Sequence, residues 1–238
     1  MILGAAASWS PCPAITPDTT PALPLSLLLA FNATPAECLT LSVPLNYGDD
    51  DPASPTMPLF VKHFPSVDRA ADRRVFIIPG GPGESGADVK NVAAFFLSVF
   101  PPNSIEVYLV DHRGTGRSSN LACLSDPSAG ICPDDLSARY GQDLMYYTTE
   151  FAARDYQTVI NLVKTELPHQ ETLLYSGSYG TYLHNRILTL DDTIADANIL
   201  DSPATYPFVF IERDQAADIT GKCFLSRCRS DPDCLGVC

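Results

Sequence analysis

The residue of this chain best suited to covalent chemistry is Ser178, set in Ser176-Gly-Ser-Tyr-Gly180. The surrounding stretch, LLYSGSYGTYL over residues 173–183, passes from an apolar strand-like segment through this turn into a helical pattern. A serine hydroxyl attacks when a base takes its proton and when backbone N–H groups stabilise the oxyanion that forms. In the Gly-x-Ser-x-Gly turn, strand and helix meet so closely that both flanking positions must be small. Gly180 satisfies the second position, and Ser176 stands at the first, where serine is small enough to fit. Such a turn lifts Ser178 Oγ off the sheet and puts the Tyr179 N–H at a helix start, where it can face an oxyanion. A serine-rich strand-to-helix turn without chemistry is the competing reading.

Two further loops carry suitable residue types. PGGPGESG, residues 79–86, follows the apolar run RVFII. Its glycines let backbone N–H groups approach a ligand, which fits an oxyanion loop donating from about Gly81. Gly81-Pro-Gly-Glu-Ser-Gly86 also satisfies the dinucleotide fingerprint, with Asp111 at the end of the next strand as a ribose-binding acid. Pro82, which lacks an N–H, and the negative Glu84 count against that reading. The other loop, DHRGTGRSS at residues 111–119, is tight and rich in ion-pairing groups. His112 and Arg117 are placed to contact substrate or, as the preferred reading, to brace the loop.

A base for Ser178 is harder to find. After Ser178 the only histidine is His184, six residues into the helix and about 9 Å along its axis at 1.5 Å per residue. It is expected on the helix surface, beyond reach of Ser178. His63, His112 and His169 precede the serine, and His112 is the best placed of them as a stand-in. Asp201, closing the strand after the turn, is a possible triad acid.

These residues need a scaffold, and the pattern supplies one. PLFVKHF, RVFII, SIEVYLV, ETLLYS and ANILD read as strands, and CLTLSVPL as a further one. Helices are expected over residues 87–100, from Thr149 to Pro168, and over YGTYLHNRILTL. Residues 120–147 read as irregular, and the stretch from Pro207 as helical and Cys-rich. Alternating strands and helices mean βαβ units, an α/β fold with a mainly parallel sheet and flanking helices. In such sheets ligands bind beyond the carboxyl ends of the strands, where all three loops lie.

Composition narrows the classes. The 238 residues are 45% hydrophobic and 18% charged, as in a globular protein. A formal net charge of −13 argues against a nucleic-acid partner, which needs clustered Lys and Arg. The longest apolar attempt, LPLSLLLAF, is too short for a membrane span. Eight cysteines without a Cys-x-x-Cys argue against zinc, and the local pairs Cys12/Cys38, Cys123/Cys132 and Cys228/Cys234 suit disulfides of an oxidising compartment. Asn32-Ala-Thr34 is a glycosylation sequon, consistent with secretion, while MILGAAASW is at most an incomplete signal peptide.

Taken together, the loops PGGPG, DHRGTGRS and SYGT in this order resemble the proline iminopeptidase and tripeptidyl-aminopeptidase branch of the α/β-hydrolases. WSPC, ECLTLSVPLNYGDDDP, LDSPATYP and FLSRCRSDPDC resemble the secreted members, so the likeness runs from Trp9 to Cys238. It implies an α/β-hydrolase-type fold with Ser178 as acylated nucleophile and Gly81 and Tyr179 as oxyanion donors. The implied substrate is a peptide with a free N-terminus, and no cofactor is required. In the family the triad acid follows a later strand than the one Asp201 closes, and a cap domain precedes the last strands with Asp and His. The resemblance therefore implies a chain ending as the cap begins, a C-terminally incomplete hydrolase. The expected organisation is a lead-in and first strand over residues 1–57, the hydrolase core over 58–204, and the start of a Cys-rich helical cap over 205–238. The alternatives are a catalytically dead secreted protein binding peptides in the same cleft and, less favoured, a dinucleotide-binding Rossmann-type domain.

Overall fold

Val75, Phe76, Ile77 and Ile78 are all buried, so this strand must be covered on both faces. The computed structural model describes residues 8–14, 34–49, 51–123 and 132–204, together with 219, 221–223, 226 and 228. The strands are β1 (Ser10–Pro11), β2 (Glu37–Pro44), β3 (Thr56–Phe64), β4 (Arg73–Ile78), β5 (Ile105–Asp111), β6 (Glu171–Gly177) and β7 (Ala197–Asp201). The helices are α1 (Lys90–Val99), α2 (Pro133–Tyr140), α3 (Thr149–Glu166) and α4 (Tyr179–Leu190).

One sheet runs in the order β1-β2-β3-β5-β4-β6-β7. The first three strands and the β3–β5 pair are antiparallel, whereas β5, β4, β6 and β7 are mutually parallel. All four parallel strands therefore deliver their carboxyl ends, and the loops that follow them, to one edge. Side-chain alternation sorts the two faces. Val75 and Ile77 pack with Ala93, Ala94 and Phe96 of α1, while Phe76 and Ile78 pack with Tyr156, Val159 and Ile160 of α3 and Leu183 of α4. The crossover from β4 to β5 thus covers one face and the path to β6 the other. The sheet changes hand between β4 and β6, and a crevice opens there. This is an α/β fold, a mixed and largely parallel sheet with helices on both faces.

Local signals explain most boundaries. The Thr148 side chain accepts from Phe151 N–H, so the N-cap of α3 lies one residue before the expected Thr149. Helix α1 starts at Lys90, three residues later than expected, because residues 87–89 are spent in turns. The stretch expected to be irregular contains α2, entered through Pro133 and two acidic residues in its first turn, and a 3₁₀ segment over Gly141–Tyr146. With few buried residues it lacks an apolar stripe, the signal by which a helix is usually read.

Disulfides join Cys12 to Cys38 and Cys123 to Cys132. The first fastens β1 to β2, and the second ties Cys123 to the residue just before α2. The chain divides into two compact units, Met1–Pro203 and Ala204–Cys238. In the second, the described residues from 219 onward are helical, Cys228 is disulfide-bonded and Cys223 is an exposed free thiol. Asn32 and Cys234 lie outside the described residues. Among the described residues no helix is long and apolar enough to cross a membrane.

Candidate active site

Ser178 sits where β6 becomes α4, with φ 52° and ψ −125°. A side chain at positive φ is strained, at a cost of about 1–3 kcal/mol, and such strain persists only where the surroundings enforce it. They do so here by close approach. A Cβ on Gly180 would come within 2.6 Å of both the Ile78 and Pro79 carbonyl oxygens, so the first turn of α4 lies directly on the end of β4. Hydrogen bonds fix the same geometry. Ser178 N–H donates to the Asp201 carbonyl at 3.0 Å, and the Ser178 carbonyl accepts from Thr181 N–H at 3.0 Å and Thr181 Oγ1 at 2.6 Å.

The PGGPGESG loop rests on this turn. A Cβ on Gly80 would lie 3.2 Å from the Gly177 carbonyl oxygen and 3.4 Å from Ser178 Cβ. Gly80 N–H donates to Glu84 Oε2 at 2.9 Å, which curls the loop on itself. Gly81 comes next, and Tyr179 begins α4, so the two expected N–H donors belong to the two segments that meet at Ser178. The loop does not open a helix, since α1 starts only at Lys90. A dinucleotide pyrophosphate needs a helix N-terminus at this point, so the Rossmann-type alternative loses its anchor.

Its acid is also committed elsewhere. Asp111 is buried at 4% exposure, its Oδ1 accepting from Gly86 N–H at 2.8 Å and its Oδ2 from Arg117 N–H at 2.9 Å. Burial pushes its pKa up, while the two N–H donors and the Arg117 charge pull against that rise. Asp111 therefore ties the Gly-rich loop to the DHRGTGRS loop and has no free oxygen for a ribose. The bracing role read for that loop matches its contacts: the Arg117 guanidinium stacks over Phe60 at 4.8 Å. Arg113 goes deeper. All its N–H groups are used, on both Asp155 oxygens at 2.7 and 2.8 Å and on the carbonyls of Pro44, Leu45 and Tyr146.

The histidines fall differently from expectation. His184 is fully buried and not on the helix surface. Its Nε2–H donates to Asn198 Oδ1 at 2.8 Å, leaving Nδ1 to accept the Ser176 hydroxyl at 2.8 Å. The serine at the first position of the turn thus has a partner that glycine could not have. It joins α4 to β6, and His184 carries the link on to β7. Burial lowers the His184 pKa, with Asn198 opposing. His112 is also buried, its Nδ1–H donating to the Arg113 carbonyl at 3.0 Å and its ring 6.3 Å from that of Tyr179. Its Nε2 has no hydrogen-bond partner among the described residues, and burial lowers its pKa. His63 is buried with Glu106, at 2.9 Å, and His169 is exposed in the turn before β6.

A cavity of about 200 Å³ opens beside Ser178, bordered by Gly80, Glu84, Val89, Val92, Tyr175 and Asp201. None of the four histidines borders it, His112 included. Asp201 does border it, its Oδ2 accepting from Tyr175 Oη at 2.9 Å and its Oδ1 from Ser202 Oγ at 3.2 Å. Glu84 and Tyr175 were not singled out as cavity residues by the sequence. The available signal was position: Glu84 lies four residues after a glycine at a strand end, and Tyr175 three before Ser178. Among the described residues no three His, Cys, Asp or Glu side chains gather closely enough to hold a metal ion.

No protein-family model matches the chain, and no curated protein matches its sequence. Similar solved structures include a cold-adapted esterase from an Arctic intertidal metagenomic library, at 15% identity over 69% of this chain and 60% of that one, TM-score 0.42. A peroxisomal α/β-hydrolase of Saccharomyces cerevisiae is similar at 14% identity over 69% and 42%, TM-score 0.48. The proline iminopeptidase of Mycobacterium smegmatis is similar at 18% identity over 70% and 44%, TM-score 0.43. The chain spans less than two thirds of the length of each of these structures.

Proposed function

We propose that the chain is the nucleophile-bearing part of a secreted serine hydrolase, an aminopeptidase that cleaves peptide bonds through an acyl-enzyme on Ser178. The observation that carries this reading is the strained backbone of Ser178 at the β6–α4 turn, pressed against the Gly-rich loop. In the proposed reaction Ser178 Oγ attacks the scissile carbonyl carbon, and the Gly81 and Tyr179 N–H groups receive the developing negative oxygen. The amine then leaves with a proton, and water hydrolyses the ester. None of the histidines described above borders the cavity, and Asp201, as a triad acid, would need a histidine beside it. The peptidase assignment and the free N-terminus of the substrate rest on the loop motifs. Two disulfides and the absence of a membrane-length helix among the described residues are compatible with an extracellular protein.

The absence of a histidine from the cavity favours one second reading, a peptide-binding protein that uses the same cleft without turnover. A fluorophosphonate separates the two, because only an activated serine is phosphonylated. An oxyanion hole without its triad still accelerates reaction roughly 10³–10⁴-fold over water. Slow labelling at Ser178, located by peptide mass mapping and abolished in Ser178→Ala, is expected. No labelling above the rate of an exposed serine leaves the binding reading in its place.

A further inference from the structure

Ser176 and His184 stand eight residues apart, on the two arms of the turn that carries Ser178, and a hydrogen bond joins them. Both side chains are fully buried. The Ser176 hydroxyl gives its proton to His184 Nδ1 at 2.8 Å, with the Ile199 carbonyl farther off at 3.4 Å. His184 Nε2–H donates to Asn198 Oδ1 at 2.8 Å. Every polar atom of the two side chains thus has a partner. Packing alone does not ask for this arrangement. The first position of such a turn needs only small size, which glycine meets without the cost of burying a hydroxyl and an imidazole. A buried polar link that is fully satisfied fixes direction, which apolar contacts do not.

We propose that Ser176 and His184 are positioning residues, a buckle across the turn that sets the rotation of α4 and so aims Ser178 Oγ and the Tyr179 N–H at one reacting carbonyl. The proposal rests on the reading of Ser178 as the nucleophile. Gly180 and His184 are four residues apart and share one face of α4. Gly180 lets that face approach the Ile78 and Pro79 carbonyl oxygens, but it does not hold it there. One turn later, His184 fastens the same face to β6 and β7. Leu183 and Ile187 are also buried, yet apolar contacts tolerate a rolling of the helix that two directed bonds resist. The helix whose first residue offers the Tyr179 N–H is therefore tied to the strand that precedes Ser178. It is tied equally to the strand whose Asp201 carbonyl takes the Ser178 N–H. A misplacement of about 1 Å at the reacting atoms can cost roughly 100-fold in rate, so a loosened buckle acts on the reaction and not on binding.

Two substitutions at position 184 divide the two bonds, since an asparagine amide reaches where Nδ1 stands and a glutamine amide where Nε2 stands. His184→Asn keeps an acceptor for Ser176 and loses Asn198, and His184→Gln does the reverse. Labelling of the whole chain by an alkyl fluorophosphonate is followed at several concentrations, at a temperature where circular dichroism shows each variant folded. Ser176→Ala and His184→Gln should each lower the maximal rate about tenfold and leave the half-saturating concentration unchanged. His184→Asn should recover most of the rate, although both histidine variants lose one buried hydrogen bond and a similar part of the Tm. Ser176→Ala combined with His184→Gln should be no slower than either alone, because both break the same bond. Equal slowing in the Asn and Gln variants, or a parental rate in Ser176→Ala, overturns the proposal. If the parent itself is not labelled, the nucleophile reading fails, and hydrogen exchange at the Ser178 and Thr181 amides decides on the buckle. Faster exchange in Ser176→Ala and His184→Gln than in His184→Asn upholds it, and equal exchange removes it. Should the histidine variants misfold, Ser176→Ala carries the test by the same two readouts.

Discussion

Asp111 and Asp201 each end a parallel strand of the same sheet, at the same edge, yet they live in different surroundings. Asp111 is buried, and both its oxygens are used by backbone N–H groups from two loops. Asp201 is exposed and borders the cavity, and among the described residues its carboxylate bonds only to the hydroxyls of Tyr175 and Ser202. Strand order accounts for the difference. Asp111 ends β5, which lies between β3 and β4, whereas β7 is the last strand of the described sheet. An acid with neighbours on both sides becomes a bracket for their loops, and an acid at the rim stays available to a ligand. The carboxyl end of a strand is therefore a place for chemistry only where neighbouring loops leave it open.

The sharpest way to break this comparison is to delete both carboxylates in turn. Asp111→Ala orphans two backbone N–H groups at a cost of roughly 1–3 kcal/mol each, so a loss of about 3 kcal/mol is expected. Asp201→Ala removes surface contacts and should cost less than about 0.5 kcal/mol. Urea denaturation of the two variants measures both, and equal losses would erase the distinction between bracket and rim.

That contrast also shows which features could be read from the chain. Ser178, the helix beginning at Tyr179 and the strand at Ala197–Asp201 were legible because small residues, period and apolar runs mark them locally. The two disulfides were legible from spacing. The roles of Asp111, Asp155 and Glu106 were not, since each depends on a partner far along the chain: Gly86 and Arg117, Arg113, and His63. His184 was misplaced for a related reason. Counting along the helix gives its distance from Ser178, but whether it faces solvent is decided by how α4 lies on β6 and β7. Ser176 held the clue, because a hydroxyl at a position that needs only small size invites a buried partner.

The next comparison is between the folded chain, which buries His63, His112 and His184, and the unfolded chain, which exposes them. Burial lowers the pKa of His184, as it does for His63 and His112, so the unfolded chain takes up protons that the folded chain refuses. The stability these neutral histidines contribute is complete above the ordinary imidazole value of about 6.5 and is lost as pH falls from there towards their lowered folded values. Thermal unfolding should accordingly show a falling Tm between about pH 7 and 5. His184→Gln, which keeps a polar side chain at this position but cannot become charged, should flatten the fall by its share. An unchanged slope would mean that protonation of His184 is tolerated where Ser176 and Asn198 hold it.

The smallest effect concerns the strain at Ser178, which has no counterpart at Asp111. With φ at 52° and ψ at −125°, the Cβ of Ser178 bears the cost, and the Gly80 backbone packed beside it prevents relaxation. Ser178→Gly removes the Cβ and recovers about 1–3 kcal/mol of strain, but it adds conformational freedom to the unfolded chain worth roughly 0.4–1 kcal/mol. The net expectation is a stabilisation of about 1 kcal/mol. Ser178→Ala keeps the Cβ, so it should leave stability within about 0.5 kcal/mol of the parent while removing the hydroxyl equally well. Urea midpoints for the pair thus separate backbone strain from hydroxyl contacts. If Ala stabilised as much as Gly, the turn would be relaxed and the hydroxyl itself would be the unfavourable group.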